Sequence, residues 1–152
     1  MKLNLVIILT IFLTASVAAQ TTNSNYDSTL AQRLGADEYG MRGYVFVILK
    51  TGSNTTTDKA FIDSCFAQHL KNIGRLAKEE KLIIAGPLQK NDKTYRGIFI
   101  LNLSTIEEAQ LLLQTDAAIK SKLLEPEFYK WYGSAAIPLY MNAHDKIWKT
   151  GM

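Results

Sequence analysis

The order of its apolar segments is the feature that most constrains the fold of this chain. Residues 44–49 form a continuous run of aromatic and aliphatic side chains, as expected of a strand that is buried on both faces. A segment with helical periodicity follows, then two short apolar segments, a second amphipathic segment and a final aromatic-rich one. This order predicts a βαββαβ arrangement: a ferredoxin-like α+β sheet with both helices on one face, and a partner subunit on the other.

Residue types that cap helices or form turns bound these segments. The first long helix is predicted to begin at Thr57 or Asp58, and the second at a capping box formed by Ser104 and Glu107. A shorter helix is predicted over residues 28–39, with Ser28 as its N-cap, and another short helix or turn over residues 117–123, ended by Pro126. The other predicted strands cover residues 81–85, stopped by Gly86 and Pro87, and residues 95–103 and 128–137.

The amino terminus has the features of a secretory signal peptide. Lys2 precedes an apolar stretch, and small residues lie just before Gln20, which predicts cleavage after residue 19. An uncleaved anchor is the alternative, although the stretch is short for a membrane span. We therefore expect an exported protein, periplasmic or secreted. It would have a leader with a short helix over residues 20–43, a domain over residues 44–138 and a tail over residues 139–152, and no membrane association after cleavage.

Charge and cysteine content exclude several classes of function. The formal net charge of the 152-residue chain is +3 and falls by one when Lys2 is removed, which is too little to indicate nucleic-acid binding. Cys65 is the single cysteine, so no intramolecular disulfide and no zinc site of the spaced-cysteine type is expected. We interpret Cys65 as a small buried hydrophobic residue rather than a nucleophile.

One histidine falls on the apolar side of the first long helix. That side is predicted from spacings of three and four residues and comprises Ile62, Cys65, Phe66, His69, Ile73, Leu76 and Ala77. A histidine in such a position is often a core residue bonded to a backbone carbonyl, and an aspartate such as Asp116, after a helix, often caps the next one. His144, in the tail, is expected at the surface.

Several segments, taken in order, resemble the YciI-like (YCII-related) family over roughly residues 44–137. They are Gln68-His69-Leu70, Lys81-Leu82-Ile83-Ile84-Ala85-Gly86-Pro87-Leu88, Arg96-Gly97-Ile98-Phe99-Ile100-Leu101, Ser104 with Glu107-Glu108-Ala109, and Asp116. The resemblance implies a dimeric α+β barrel and a catalytic pair formed by His69 and Asp116, in an exported subgroup. The family aspartate is usually followed by proline; here Ala117 follows, so no proline ring fixes the backbone after Asp116.

A histidine held by a carboxylate is suited to acid–base catalysis, because the carboxylate fixes one ring nitrogen and leaves the other free. By analogy with the family that it resembles, we expect cofactor-free and metal-free elimination, isomerisation or hydrolysis of a small, aromatic or lactone-like molecule. Arg96, Trp131 and Ser134 are weaker substrate-binding candidates, and Gly86 with Pro87 would shape the cleft. Two alternatives stay open: a homodimer that binds a small ligand without transforming it, and a structural dimer in which the pair only joins two helices.

Overall fold

The computed structural model describes residues 23–150, so the predicted signal peptide and the first residues of the leader lie outside the described part. The elements, in chain order, are α1 (Ser28–Leu34), β1 (Met41–Thr51), α2 (Lys59–Lys78), β2 (Leu82–Pro87), β3 (Tyr95–Leu101), α3 (Ile106–Leu113), α4 (Ala117–Lys120), β4 (Leu124–Ser134), a 3₁₀ helix (Ile137–Tyr140) and α5 (Met141–His144). No helix within this part is long and apolar enough to cross a membrane.

The sheet has four strands in the order β2-β3-β1-β4, and every neighbouring pair is antiparallel. The α+β class is therefore as predicted, and the strand order is compatible with a ferredoxin-like fold. In this order β1 and β3 are central and β2 and β4 are edge strands, so the segments nearest in sequence are not always neighbours in the sheet.

Local hydrogen bonds fix where the helices begin and end. Asp58 caps α2 by accepting from the amide of Phe61, as predicted. The capping box of α3 lies one residue later than predicted: Thr105, not Ser104, is the N-cap, and Glu108, not Glu107, reaches back to it. Thr105 has an extended backbone and Ile106 is the first helical residue. Thr105 therefore occupies the N-cap position of the capping box, and the residue three positions later is Glu108.

The first helix and the strands differ from the predicted bounds. Asp27 rather than Ser28 caps α1, and α1 ends at Leu34 because Gly35 adopts a left-handed conformation. β1 begins earlier than predicted, at Met41, and β2 extends through Gly86 and Pro87. This extension is tolerated because β2 is an edge strand, where a residue without an amide donor breaks no central ladder.

The last strand was predicted too late in the chain. β4 runs from Leu124 to Ser134 rather than over residues 128–137, and Pro126 lies inside it, opposite Leu49 of β1. β4 is the other edge strand, so the missing amide of Pro126 is again tolerated. The short α4 ends just before, at Lys120, because Lys122 takes a positive φ.

The main core lies between the sheet and the helices. Alternate residues of β1, namely Val45, Val47 and Leu49, point to this side. They pack in one buried cluster with Leu76, Leu82, Phe99, Leu101, Ala109, Leu113, Ala118 and Leu124. Burial of this apolar area is the main stabilising contribution to the fold, and it holds α2 across the sheet.

The opposite face of the sheet is only partly covered. Tyr44, Ile83 and Ile100 are buried there, with Ile137 of the 3₁₀ helix packed against them. Phe46 and Ile48 of β1 stay half-buried. β1 was predicted to be buried on both faces. In the single chain this is true at Tyr44 and not at Phe46 and Ile48.

Candidate functional site

A cavity of about 280 Å³ lies between α2 and the sheet. Its lining residues come from α2 and all four strands: Leu49, Phe66, His69, Leu70, Ile73, Ala85, Gly86, Pro87, Arg96, Gly97, Phe99 and Leu124. All but His69 and Arg96 are apolar or glycine, so the cavity suits a small, largely apolar molecule with few polar groups. Gly86 and Pro87 line it, as their predicted role in shaping the cleft requires.

His69 and Asp116 form a buried hydrogen-bonded pair. The Nδ1 atom of His69 lies 2.8 Å from Oδ2 of Asp116, and the two residues are 8% and 0% exposed. The imidazole also packs against two aromatic rings, edge-on to Phe66 and nearly parallel to Phe99. The structure thus brings together the two residues that the resemblance implied as a pair, and the contacts fix the plane of the ring.

The two carboxylate oxygens of Asp116 have different hydrogen-bond partners. Oδ1 accepts from the amides of Ala118 and Ile119 and so caps α4, while Oδ2 accepts from His69 and from the Asn72 amide. The capping role and the pairing role considered from the sequence are therefore both present in one side chain. Capping also fixes the carboxylate without a proline, so Ala117 does not loosen it.

These donors decide the charge of the buried carboxyl group. Burial by itself raises the pKa of Asp116, but the hydrogen bond and charge of His69, the Asn72 amide and the Ile119 amide lower it more strongly. The net pKa lies below the ordinary value, so Asp116 is ionised at neutral pH. An ionised carboxylate only accepts hydrogen bonds, and the proton between the two groups therefore resides on Nδ1 of His69.

The second ring nitrogen of His69 faces the cavity. Within residues 23–150 the only hydrogen bond of this ring is the one to Asp116, and no fully buried polar side-chain atom there lacks a partner. Nε2 is therefore accessible from the cavity that His69 lines. When the ring is neutral and its proton is on Nδ1, the lone pair of Nε2 is available to a bound molecule.

Arg96 supplies the positive charge of the site. Its side chain lines the cavity from β3 and is exposed, and it has no ion pair in the described part of the chain. A guanidinium group in this position is available to a carboxylate, phenolate or enolate group of a ligand.

The other sequence candidates lie elsewhere. Trp131 packs on Tyr44 on the opposite face of the sheet, and the carbonyl of Ser134 accepts from the hydroxyl of Tyr44. Neither residue lines the cavity of the single chain, and their substrate-binding role stays a prediction. His144 is exposed and its ring lies against that of Tyr140, whereas Cys65 is buried and not bonded to another cysteine.

One polar residue beside the pair was not predicted. Asn72 is buried beside the pair, although it is not among the residues predicted for the apolar side of α2. Its spacing of three from His69 is the signal that places both on one side of a helix. No group of three or more His, Cys, Asp or Glu residues that could hold a metal ion occurs among residues 23–150.

No protein-family model and no curated protein matches this chain. Among solved structures, it is similar to 5-chloro-2-hydroxyhydroquinone dehydrochlorinase from Burkholderia phenoliruptrix, in complex with 2,5-dihydroxybenzoquinone. The identity is 21%, the match covers 57% of this chain and 92% of that chain, and the TM-score is 0.41. At this identity and TM-score, the activity of that enzyme is not assigned to this chain.

Proposed function

We propose that this protein is a small-molecule enzyme of YciI-like type that uses His69 and Asp116 for cofactor-free acid–base chemistry. The observation that carries the proposal is the orientation of the pair: Nδ1 is bonded to a buried carboxylate, and His69 lines an apolar cavity. A buried histidine with only a structural role would have hydrogen-bond partners for both ring nitrogens. Within residues 23–150, Nε2 of His69 has none.

In the proposed reaction, Nε2 of His69 takes a proton from a carbon or oxygen atom of the bound molecule. The ring becomes an imidazolium, and the ionised Asp116 stabilises its new charge through Nδ1–H. In an elimination, the electrons of the broken C–H bond form a double bond and the leaving group departs with its own electron pair. In an isomerisation, the same proton returns from Nε2 to another atom; in a hydrolysis, Nε2 takes the proton of an attacking water.

The lining narrows the substrate class. The apolar walls and the volume of about 280 Å³ fit a single ring, such as a phenol, a cyclic enone or a lactone. Arg96 favours a substrate that carries, or develops, a negative charge on oxygen. Proton removal next to a carbonyl produces such a charge, and a guanidinium group near it stabilises the transition state.

Deuterium exchange tests the proton-abstraction step without knowledge of the leaving group. Small cyclic ketones, lactones and phenols would be incubated with the protein in D₂O, and loss of each acidic C–H signal followed by NMR. We expect catalysed exchange of at least one class, reduced by about 10²- to 10⁴-fold in His69→Gln. His144→Gln is the matched control, since His144 lies outside the cavity. If exchange is equally fast in His69→Gln for every compound, His69 is not the base.

The same assay separates the enzyme from its alternatives. A pure binding protein would bind some of these compounds, as measured by calorimetry, and exchange none of them. A structural module would bind none, yet His69→Gln would still lower its melting temperature, because the pair joins α2 to the start of α4.

We also propose that the protein is exported as a homodimer. The open sheet face, defined here as Phe46, Ile48, Ile98 and Tyr129, is apolar and is not covered within the described chain. A second copy that places its own open sheet face against this one would bury both, as stacked sheets do.

A further inference from the structure

A polar network behind the pair extends from Asn72 to residues that the chemistry described above does not use. Asn72 lies on α2 next to His69 and is 8% exposed. Its Nδ2 atom is 3.2 Å from Oδ2 of Asp116, the oxygen that also accepts from His69. Buried amides are retained where both of their ends have partners, because an unpaired end is costly. The position of the other end therefore decides how Asn72 acts on Asp116.

Arg75 determines the orientation of that amide. Its guanidinium group lies 2.8 Å from Oδ1 of Asn72 and 3.0 Å from the hydroxyl of Thr115. A guanidinium group can only donate hydrogen bonds, so it requires the oxygen of the amide on its side. The nitrogen must then point to Asp116, where an ionised carboxylate can only accept. Each end of the Asn72 amide thus faces a group that admits one orientation.

The Thr115 hydroxyl strengthens this arrangement. It accepts from Arg75, donates to the Leu112 carbonyl at 2.7 Å, and lies 3.3 Å from Oδ1 of Asn72. Thr115 directly precedes Asp116, so Arg75 contacts both the amide that bonds the carboxylate and the residue before it. At its outer side, Arg75 pairs with Glu79 at 2.7 Å, where both side chains are partly exposed.

We propose that Arg75 and Asn72 are positioning residues of the site, which form a directed hydrogen-bond relay from the protein surface to Asp116. The relay supplies Oδ2 with a second donor, so the carboxylate is shared between Asn72 and His69. This sharing limits how strongly Asp116 attracts the Nδ1 proton and fixes the position of Oδ2. Without Arg75, only Asp116 and the Thr115 hydroxyl hold the amide, and its bond to Oδ2 is weaker.

The consequence for turnover rests on the proposed function, but the relay itself can be tested without a substrate. The readout is the Nδ1–H proton and the ring ¹⁵N resonances of His69, recorded in His144→Gln so that only one histidine contributes. The variants are Asn72→Leu, Arg75→Met and the two combined. Lys71→Met is the matched control, because it removes the same charge from the exposed side of α2 without touching the network.

We expect the Nδ1–H resonance to move downfield in Asn72→Leu, because Oδ2 then accepts from His69 alone. In Arg75→Met we expect a smaller downfield shift, because the bond from Asn72 is weakened but still present. The double variant is expected to match Asn72→Leu, since Arg75 acts through Asn72. Lys71→Met is expected to leave the spectrum unchanged. The proposal is overturned if Arg75→Met resembles Lys71→Met, or if the two single effects simply add.

Two safeguards keep the test decisive. If Asn72→Leu does not fold, the His69 resonances of Arg75→Met and Lys71→Met are compared instead, and a shift in Arg75→Met alone supports the relay. Arg75→Met is expected to fold because Arg75 is partly exposed and its replacement leaves the core intact. If the His69 signals respond as expected but no compound exchanges deuterium, the relay stands and the proposed enzyme function fails. If exchange occurs, the relay variants should slow it by roughly twofold to thirtyfold.

Discussion

His69 and Asp116 lie 47 positions apart in the chain, yet one hydrogen bond of 2.8 Å joins them and a second set of bonds makes the same aspartate the cap of α4. The carboxylate is therefore a junction between α2, which carries the histidine, and the start of α4. A substitution at Asp116 changes the stability of the fold and the state of His69 together, and experiments on this site must separate the two effects.

The stability contributed by Asp116 should depend on pH. Because its pKa is lower in the folded protein than the ordinary value of about 3.9, this contribution is fully present above pH 5 and is lost as the pH falls through the folded-state pKa. At pH 7 we expect Asp116→Asn to lower the free energy of unfolding by about 1–3 kcal/mol, from the lost cap and the lost buried bonds. Urea unfolding at several pH values measures this.

The difference between wild type and Asp116→Asn isolates this residue from other carboxylates, and it should shrink on acidification. Glu79→Gln is a useful comparison, since Glu79 also has a lowered pKa, through its bonds to Arg75 and Lys81, but lies at the surface. A constant difference between wild type and Asp116→Asn down to pH 2 would contradict an ionised, bonded Asp116.

Arg96 should distinguish anionic from neutral ligands. Arg96→Met is expected to weaken binding of a small aromatic carboxylate or phenolate by about tenfold, the loss of one exposed charge-assisted contact, and to leave a neutral ligand of the same shape unaffected. Calorimetric titration measures both. Arg33→Met on α1 removes the same charge away from the cavity and should change neither affinity. If Arg96→Met weakens the binding of anionic and neutral ligands equally, Arg96 contributes to the shape of the cavity and its charge does not select the ligand.

Two glycines should respond to alanine in opposite directions. A Cβ atom at Gly52 would lie 2.0 Å from the carbonyl oxygen of Lys122, so the loop after β1 would have to move away from the turn before β4. We expect Gly52→Ala to cost about 2–3 kcal/mol. Gly74 lies on the exposed side of α2 with open space around it, and Gly74→Ala should stabilise the protein by about 0.5–1 kcal/mol. Thermal or urea unfolding compares them.

The open sheet face should control association. Tyr129 is 46% exposed on β4 and its ring is tilted against that of Phe46, so Tyr129→Lys would place a charge inside the proposed dimer interface. We expect sedimentation velocity to show a dimer for the wild type and a marked shift to monomer for this variant. Leu111→Lys, at an exposed position on the helical side, is the control. A wild-type protein that stays monomeric at high micromolar concentration would exclude the dimer.

Local patterns were sufficient for much of the fold. The apolar side of α2, the cap at Asp58 and the apolar run of β1 depend on residues close together in the chain, so they can be recognised in the sequence. The predicted bounds were wrong where a local pattern fits more than one structure. The capping box shifted by one residue because two overlapping sequences, Ser104–Glu107 and Thr105–Glu108, both satisfy the rule. Pro126 was taken as a boundary because only the sheet order shows that β4 is an edge.

The site depended more on tertiary structure. The helical stripe placed His69 on the inner side of α2, and a family resemblance named Asp116 as its partner. Neither could show that one carboxylate oxygen caps α4 while the other bonds His69, or that Arg75 holds the Asn72 amide behind them. Helical periods and caps are set by neighbours along the chain, and the sequence determines them directly. The pair, its relay and the cavity arise where segments distant in sequence pack together, and only the folded structure decides those contacts.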